Sequence, residues 1–176
     1  MLMAILTRDR QQEIDQKIEQ IKLDYGISYP EDNLLKIPEA LGIQVHSVAL
    51  PDIDGKKVKG VIKWPEQGSN GQTAMIYLNE SLSETTRAFT LAHELGHFIL
   101  HPNEEKLRID LFDYSQDTEE SQKETEANYF AASLLVPKEK LFKLIELTKS
   151  LDAIAEYFGV SRPVIETRIK WIQTNQ

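Results

Sequence analysis

The stretch SETTRAFTLAHELGHFILH, residues 83–101, constrains this chain most, because it places His93-Glu94-Leu95-Gly96-His97 among apolar residues. Phe89, Ala92, Leu95 or Gly96, and Ile99 recur at the spacing of a buried helical face. Residues four apart lie one helical turn apart, about 6 Å along the axis, so two imidazoles can converge on one zinc at about 2.0–2.1 Å. An unpaired imidazole among core residues is costly, and a metal gives each one a partner. Glu94 is rotated off the line of the two histidines. It is poorly placed as a ligand but able to reach a water on the metal's open side and take its proton. Gly96 lets another element approach this helix closely.

His101 follows His97 by four residues, but the intervening Phe98-Ile99-Leu100 holds no glycine to turn the chain back toward a metal. The sequence therefore predicts a helix C-terminal cation, or a donor to a carbonyl, just before Pro102 ends the helix.

A second stretch, ETEANYFAASLL at 124–135, supplies the third ligand. Ala127, Phe130, Ala131, Leu134 and Leu135 form one helical stripe, and the two alanines permit close contact with another helix. At about 100° per residue, Glu124 lies about 50° from the centre of that stripe and Glu126 about 110° away. Glu124 thus faces inward as the zinc ligand, with Glu126 the competing choice and better suited to the rim. Asn128, one turn after Glu124, can hydrogen-bond a ligand histidine.

FTLAHELGHFILH, followed some two dozen residues later by ETEANYFAASLLVP, resembles the ImmA/IrrE family of bacterial metallopeptidases, with its zincin helix and its E-x-x-A-N-x-F-A-x-x-L-L-x-P block. The resemblance covers most of residues 33–137. It implies that His93, His97 and Glu124 bind Zn²⁺ and that Glu94 is the catalytic base. It also implies a protein substrate, since members encoded near phage-type or mobile-element repressors cleave or inactivate them.

Around these two helices the chain reads as follows. Residues 8–25 form an amphipathic helix bearing Ile14, Ile18, Ile21 and Leu23, ended near Gly26. Residues 34–41 form a short helix closed by Gly42, with Pro38 in its first turn. Alternation predicts a strand over 43–50, and Asp54-Gly55 a hairpin tip within a polar link at 51–59. Two further strands, 60–64 and 73–78, are joined by a loop at 65–72. Ser81 and Glu84 are spaced as a capping box for the metal helix, with Ser83 a competing cap. Residues 103–123 read as a loop with a short strand at 107–112, and a flap over the metal cleft is its functional alternative. The fold class is α+β and zincin-like: mainly helical with a small three-stranded sheet.

After Pro137 comes one more helix, then residues 151–171 with Ala155, Gly159 and Ile165 at helix-turn-helix spacing, Ser161 able to cap and Pro163 in the first turn. The expected division is 1–136 as the metallopeptidase domain and 137–176 as a helix-turn-helix-like appendage. As a DNA reader the appendage is poorly equipped. Only Arg162 and Arg168 are long cations near the second helix, and Glu166 would face phosphates. The net charge of -8 over 176 residues also argues against a grip on nucleic acid, so no direct specific DNA binding is expected. There is no cysteine, hence no disulfide frame or thiolate site. No run approaches a membrane span, and the expected location is cytoplasmic.

The expected function is a zinc-dependent endopeptidase that cleaves a partner protein, a helix-turn-helix repressor of phage or mobile-element type, and so acts as an anti-repressor. Its substrate would lie extended along an exposed sheet edge, the strand at 73–78, with His101, Tyr77 or Tyr114 as candidate donors to the transition state. The alternative is a non-catalytic, metal-containing regulator that binds a repressor or DNA. The intact Glu94 speaks against it, because a structural zinc needs no base.

Overall fold

The structure, a computed structural model, describes residues 6–65, 73–102, 107–109 and 119–174. Helix α1 spans Arg8–Tyr25, capped by Thr7, whose hydroxyl accepts from the Arg10 amide, and ended by Gly26 in the left-handed region. Ile14 and Ile18 are buried, whereas Leu23, expected on the same stripe, is 77% exposed. It lies five residues beyond Ile18, about 140° round the helix and so off the apolar face. Helix α2 is Lys36–Ala40, with Pro38 in its first turn as expected. Strand β1, Gln44–Val48, follows. The bridge between Ile53 and Lys56 closes the Asp54-Gly55 turn.

Strands β2 (Gly60–Lys63) and β3 (Met75–Asn79) form the middle of the sheet. The short strand expected at 107–112 is present as β4, Leu107–Ile109, and it joins beyond β2, so the sheet has four strands rather than three, in the order β1-β3-β2-β4. Strand β1 runs parallel to β3, and the other two pairings are antiparallel. The expectation of β3 as an exposed edge is therefore overturned: it is paired on both sides. Its apolar run Met75-Ile76-Tyr77-Leu78 is best buried at the centre of the sheet, and Ile76 and Leu78 are almost fully enclosed.

Helix α3, Glu84–Leu100, packs on β2 and β3 with one flank and on helix α4, Glu119–Leu135, with the other. Ser83 is the cap: its hydroxyl accepts from the Thr86 amide at 3.3 Å. The Ser81–Glu84 capping box does not form, because Ser81 is held by the buried Asn79, whose Oδ1 accepts its hydroxyl at 2.8 Å. Helix α4 begins five residues before the expected 124. Gly96 makes the α3–α4 contact possible, since a Cβ there would stand 3.1 Å from the Ala127 Cα.

Helices α5 (Lys138–Leu147), α6 (Leu151–Phe158) and α7 (Arg162–Gln173) complete the chain. Ser161 occupies the α7 cap position, but its hydroxyl makes no capping bond. Helix α7 packs on α4, and α4 also packs on α1. Arg168, 3% exposed, donates to the Val136 carbonyl at 3.3 Å and lies over the Tyr129 ring. Tyr29 donates to the Phe158 carbonyl at 2.9 Å, and Lys140 pairs with Glu31. The C-terminal helices are thus tied to elements well before residue 137. No helix among the described residues is long and apolar enough to cross a membrane.

Candidate metal centre

Helix α3 presents His93 and His97 on the side that meets α4, and α4 brings Glu124 to the same point. The His93 and His97 Nε2 atoms are 3.0 Å apart. Glu124 Oε2 lies 3.3 Å from His93 Nε2, and Glu124 Oε1 lies 3.1 Å from His97 Nε2. Donors bound to one small divalent ion at about 2.0–2.1 Å stand about 3.3 Å apart, so the two histidine nitrogens, with a carboxylate oxygen near each of them, fit such an ion. All three residues are buried, which restricts access and strengthens the electrostatics. Burial pushes the Glu124 carboxyl upward, but hydrogen bonds and charge from His93 and His97, when their rings carry a proton on Nε2, outweigh it and hold the group well below its usual range. A metal ion would take the place of those protons.

The far nitrogen of each imidazole is engaged. His93 Nδ1 lies 3.0 Å from Asn128 Oδ1, and a carbonyl oxygen only accepts, so Nδ1–H donates and Nε2 keeps its lone pair. Asn128 thus sits where helical phase put it. His97 Nδ1 lies 3.1 Å from His101 Nδ1.

The sequence misplaces His101. Although it does cap α3 through its backbone amide, its ring turns inward, 8% exposed, and reaches Glu126 through Nε2 at 3.1 Å. Glu126 is likewise buried rather than on the rim, and Arg10 of α1 donates to it at 2.6 Å. Burial raises the Glu126 pKa, but His101 and Arg10 bring it down to about 2. The third position of the metal set belongs to Glu124, and Glu126 stands one layer behind.

Glu94 is fully enclosed beside His93, on the flank of α3 that faces β2. Gly60 is what admits it. A Cβ at position 60 would fall 2.7 Å from Thr90 Cγ2 and 2.8 Å from Glu94 Oε1. The only sequence signal for Gly60 was a glycine opening a strand, which often marks a close approach. Among the donor candidates, His101 is committed behind His97. Tyr77 lies on the sheet face away from the buried Ile76 and Leu78, stacked on His46. Tyr114 falls outside the described residues, as does the suggested flap apart from 107–109, which form β4, and 119–123, which open α4.

A mixed α+β fold in which a two-histidine helix meets a glutamate from the following helix defines a zincin-like protein. The peptidase M78 model, described as the IrrE N-terminal-like domain, matches residues 38–170, and the chain belongs to that family. Over 73 residues the chain is 34% identical to a 4-hydroxyphenylalkanoate adenylyltransferase of Mycobacterium marinum, a stretch that covers 42% of this chain but 12% of that protein. A solved Mycobacterium tuberculosis transcriptional regulator aligns with a TM-score of 0.55 at 18% identity, over 89% of this chain and 47% of that one. That second likeness is one of fold alone, and the chain spans less than half of either relative.

Proposed function

We propose that this chain is a zinc-dependent endopeptidase with His93, His97 and Glu124 as metal ligands and Glu94 as the catalytic base. The observation that carries the reading is the convergence of three buried donors with Glu94 held on the same helix, in a chain of a peptidase family. Zinc bound there supplies a Lewis acid that polarises a peptide carbonyl and makes water more acidic. Glu94 takes the proton from the attacking water as the new C–O bond forms. It returns the proton to the amine nitrogen as the C–N bond breaks. Asn128 keeps the His93 ring oriented, and burial of the site strengthens its electrostatics.

The substrate we propose is a helix-turn-helix repressor of phage or mobile-element type, which makes the protein a cytoplasmic anti-repressor. We read residues 1–136 as the peptidase domain and 137–176 as an appendage that packs on it rather than reads DNA. Arg168 is buried under Tyr129, and Arg162 is occupied by Glu166 and Asp152 at 2.8 and 3.1 Å. The experiment is co-expression with a helix-turn-helix repressor encoded nearby, comparing wild type with Glu94→Gln. Loss of a general base costs on the order of 10²–10⁴ in rate, so cleavage should vanish while zinc content stays near one per chain. Repressor inactivation that persists in the variant, with the repressor at full length, would mean action by binding instead.

A further inference from the structure

Arg10, Glu126 and His101 lie in series behind His97, and they come from three different helices. Arg10 Nη2 donates to Glu126 Oε2 at 2.6 Å, the same oxygen lies 3.1 Å from His101 Nε2, and His101 Nδ1 lies 3.1 Å from His97 Nδ1. Hydrogen-bond logic fixes the direction of the protons. A carboxylate paired with a guanidinium only accepts, so His101 donates to it from Nε2. A His97 that binds metal through Nε2 carries its proton on Nδ1, so it donates from there and His101 accepts at Nδ1. His97 is left with the Nε2 lone pair pointing at His93 and Glu124, the tautomer a metal requires.

We propose that Arg10, Glu126 and His101 form a positioning chain that fixes the tautomer and ring orientation of His97, so that helix α1 sets the metal affinity of the site. Helix α1 lies wholly before residue 38, where the family match begins, so the outermost member of the chain comes from outside the matched segment. Arg10 also pairs with Glu13 one turn on, which holds the guanidinium over Glu126. None of the three is among the metal donors. Its effect passes through His97. The inference rests on the metal reading above.

The test is competition for Zn²⁺ between a chromogenic chelator and the full-length protein as wild type, Arg10→Gln, Arg10→Lys, Glu126→Gln and the Arg10→Gln/Glu126→Gln pair. Removing a group that supports a ligand typically weakens metal binding about 10- to 100-fold, and Glu126→Gln should fall in that range. Arg10→Gln should weaken binding, Arg10→Lys should restore most of it, and the pair should be no worse than Glu126→Gln alone. The visible spectrum of the Co²⁺-loaded protein should shift in Glu126→Gln, because the His97 ring is no longer held in one orientation. Arg10 is partly exposed, so its variants keep their fold and decide the matter even where Glu126→Gln is unstable. A wild type that takes up no zinc overturns both the metal reading and this chain. A wild type that binds zinc, with Arg10→Gln binding equally well, overturns the chain alone.

Discussion

Gly60 of β2 and Glu94 of α3 are in such close register that any side chain at position 60 would collide with the carboxylate proposed as the base, at 2.8 Å from Oε1. The nearer neighbour, Thr90 Cγ2 at 2.7 Å, is on a β-branched side chain with few rotamers in a helix, so it yields less readily than a long flexible chain would. The strand therefore acts as a wall that sets where Glu94 sits.

Gly60→Ala should separate base from metal. The enclosed carboxylate must move or β2 must lift, an overpacking strain of about 1–3 kcal/mol. Proteolytic rate should fall by an order of magnitude or more while zinc affinity changes little, since His93, His97 and Glu124 meet where α3 faces α4, on the other flank. A variant with full activity would show that Glu94 is not held by this contact.

Gly96→Ala should act on the opposite flank. Alanine in a helix interior gains about 1 kcal/mol over glycine. Here the new Cβ meets backbone, the Ala127 Cα at 3.1 Å and the Ala127 carbonyl at 3.2 Å, and backbone cannot rotate aside. The clash should win by about 1–2 kcal/mol, lowering the melting temperature and moving Glu124 off the histidine pair. Thermal denaturation with and without zinc reads both effects.

The parts of the site that were legible from sequence are those in which one helix's own geometry carries the information. His93, His97 and Glu94 follow from a single turn, and Glu124 and Asn128 from the phase of an apolar stripe. What could not be read is what depends on two elements far apart in the chain. Arg10 is one charge on a charged helix face and meets Glu126 only through the packing of α1 on α4. His101 and Glu126 each had a sound solvent-facing reading, yet each is buried by supplying the other's partner. Likewise, strand positions were clear from alternation, but β3 becoming internal depends on β1 and β2 pairing on its two sides.

Arg168→Ala should destabilise the fold without touching the metal. The side chain is buried over Tyr129 and serves the Val136 carbonyl at 3.3 Å, at the point where α4 gives way to α5. Removing it leaves a cavity and a carbonyl short of a donor, together about 2–4 kcal/mol. Zinc titration of the folded variant should match wild type. An intact melting temperature together with weakened DNA retention would return α7 to the role of a DNA reader.

Glu124→Ala and Glu126→Gln should differ in kind. Both carboxylates are buried and held ionised by histidine partners, so burial alone does not distinguish them. Geometry does. Glu124 reaches the Nε2 atoms that face the metal position, whereas Glu126 reaches only His101, on the far side of His97. Glu124→Ala removes one of three donors and should cost more zinc affinity than the roughly 10- to 100-fold expected for a supporting residue. Elemental analysis after dialysis against a weak chelator separates the two, with zinc lost from Glu124→Ala and largely retained by Glu126→Gln. Retention by Glu124→Ala with loss from Glu126→Gln would mean that α4 offers the metal its other glutamate, and the approach of the Glu124 carboxylate to both Nε2 atoms would then be coincidental.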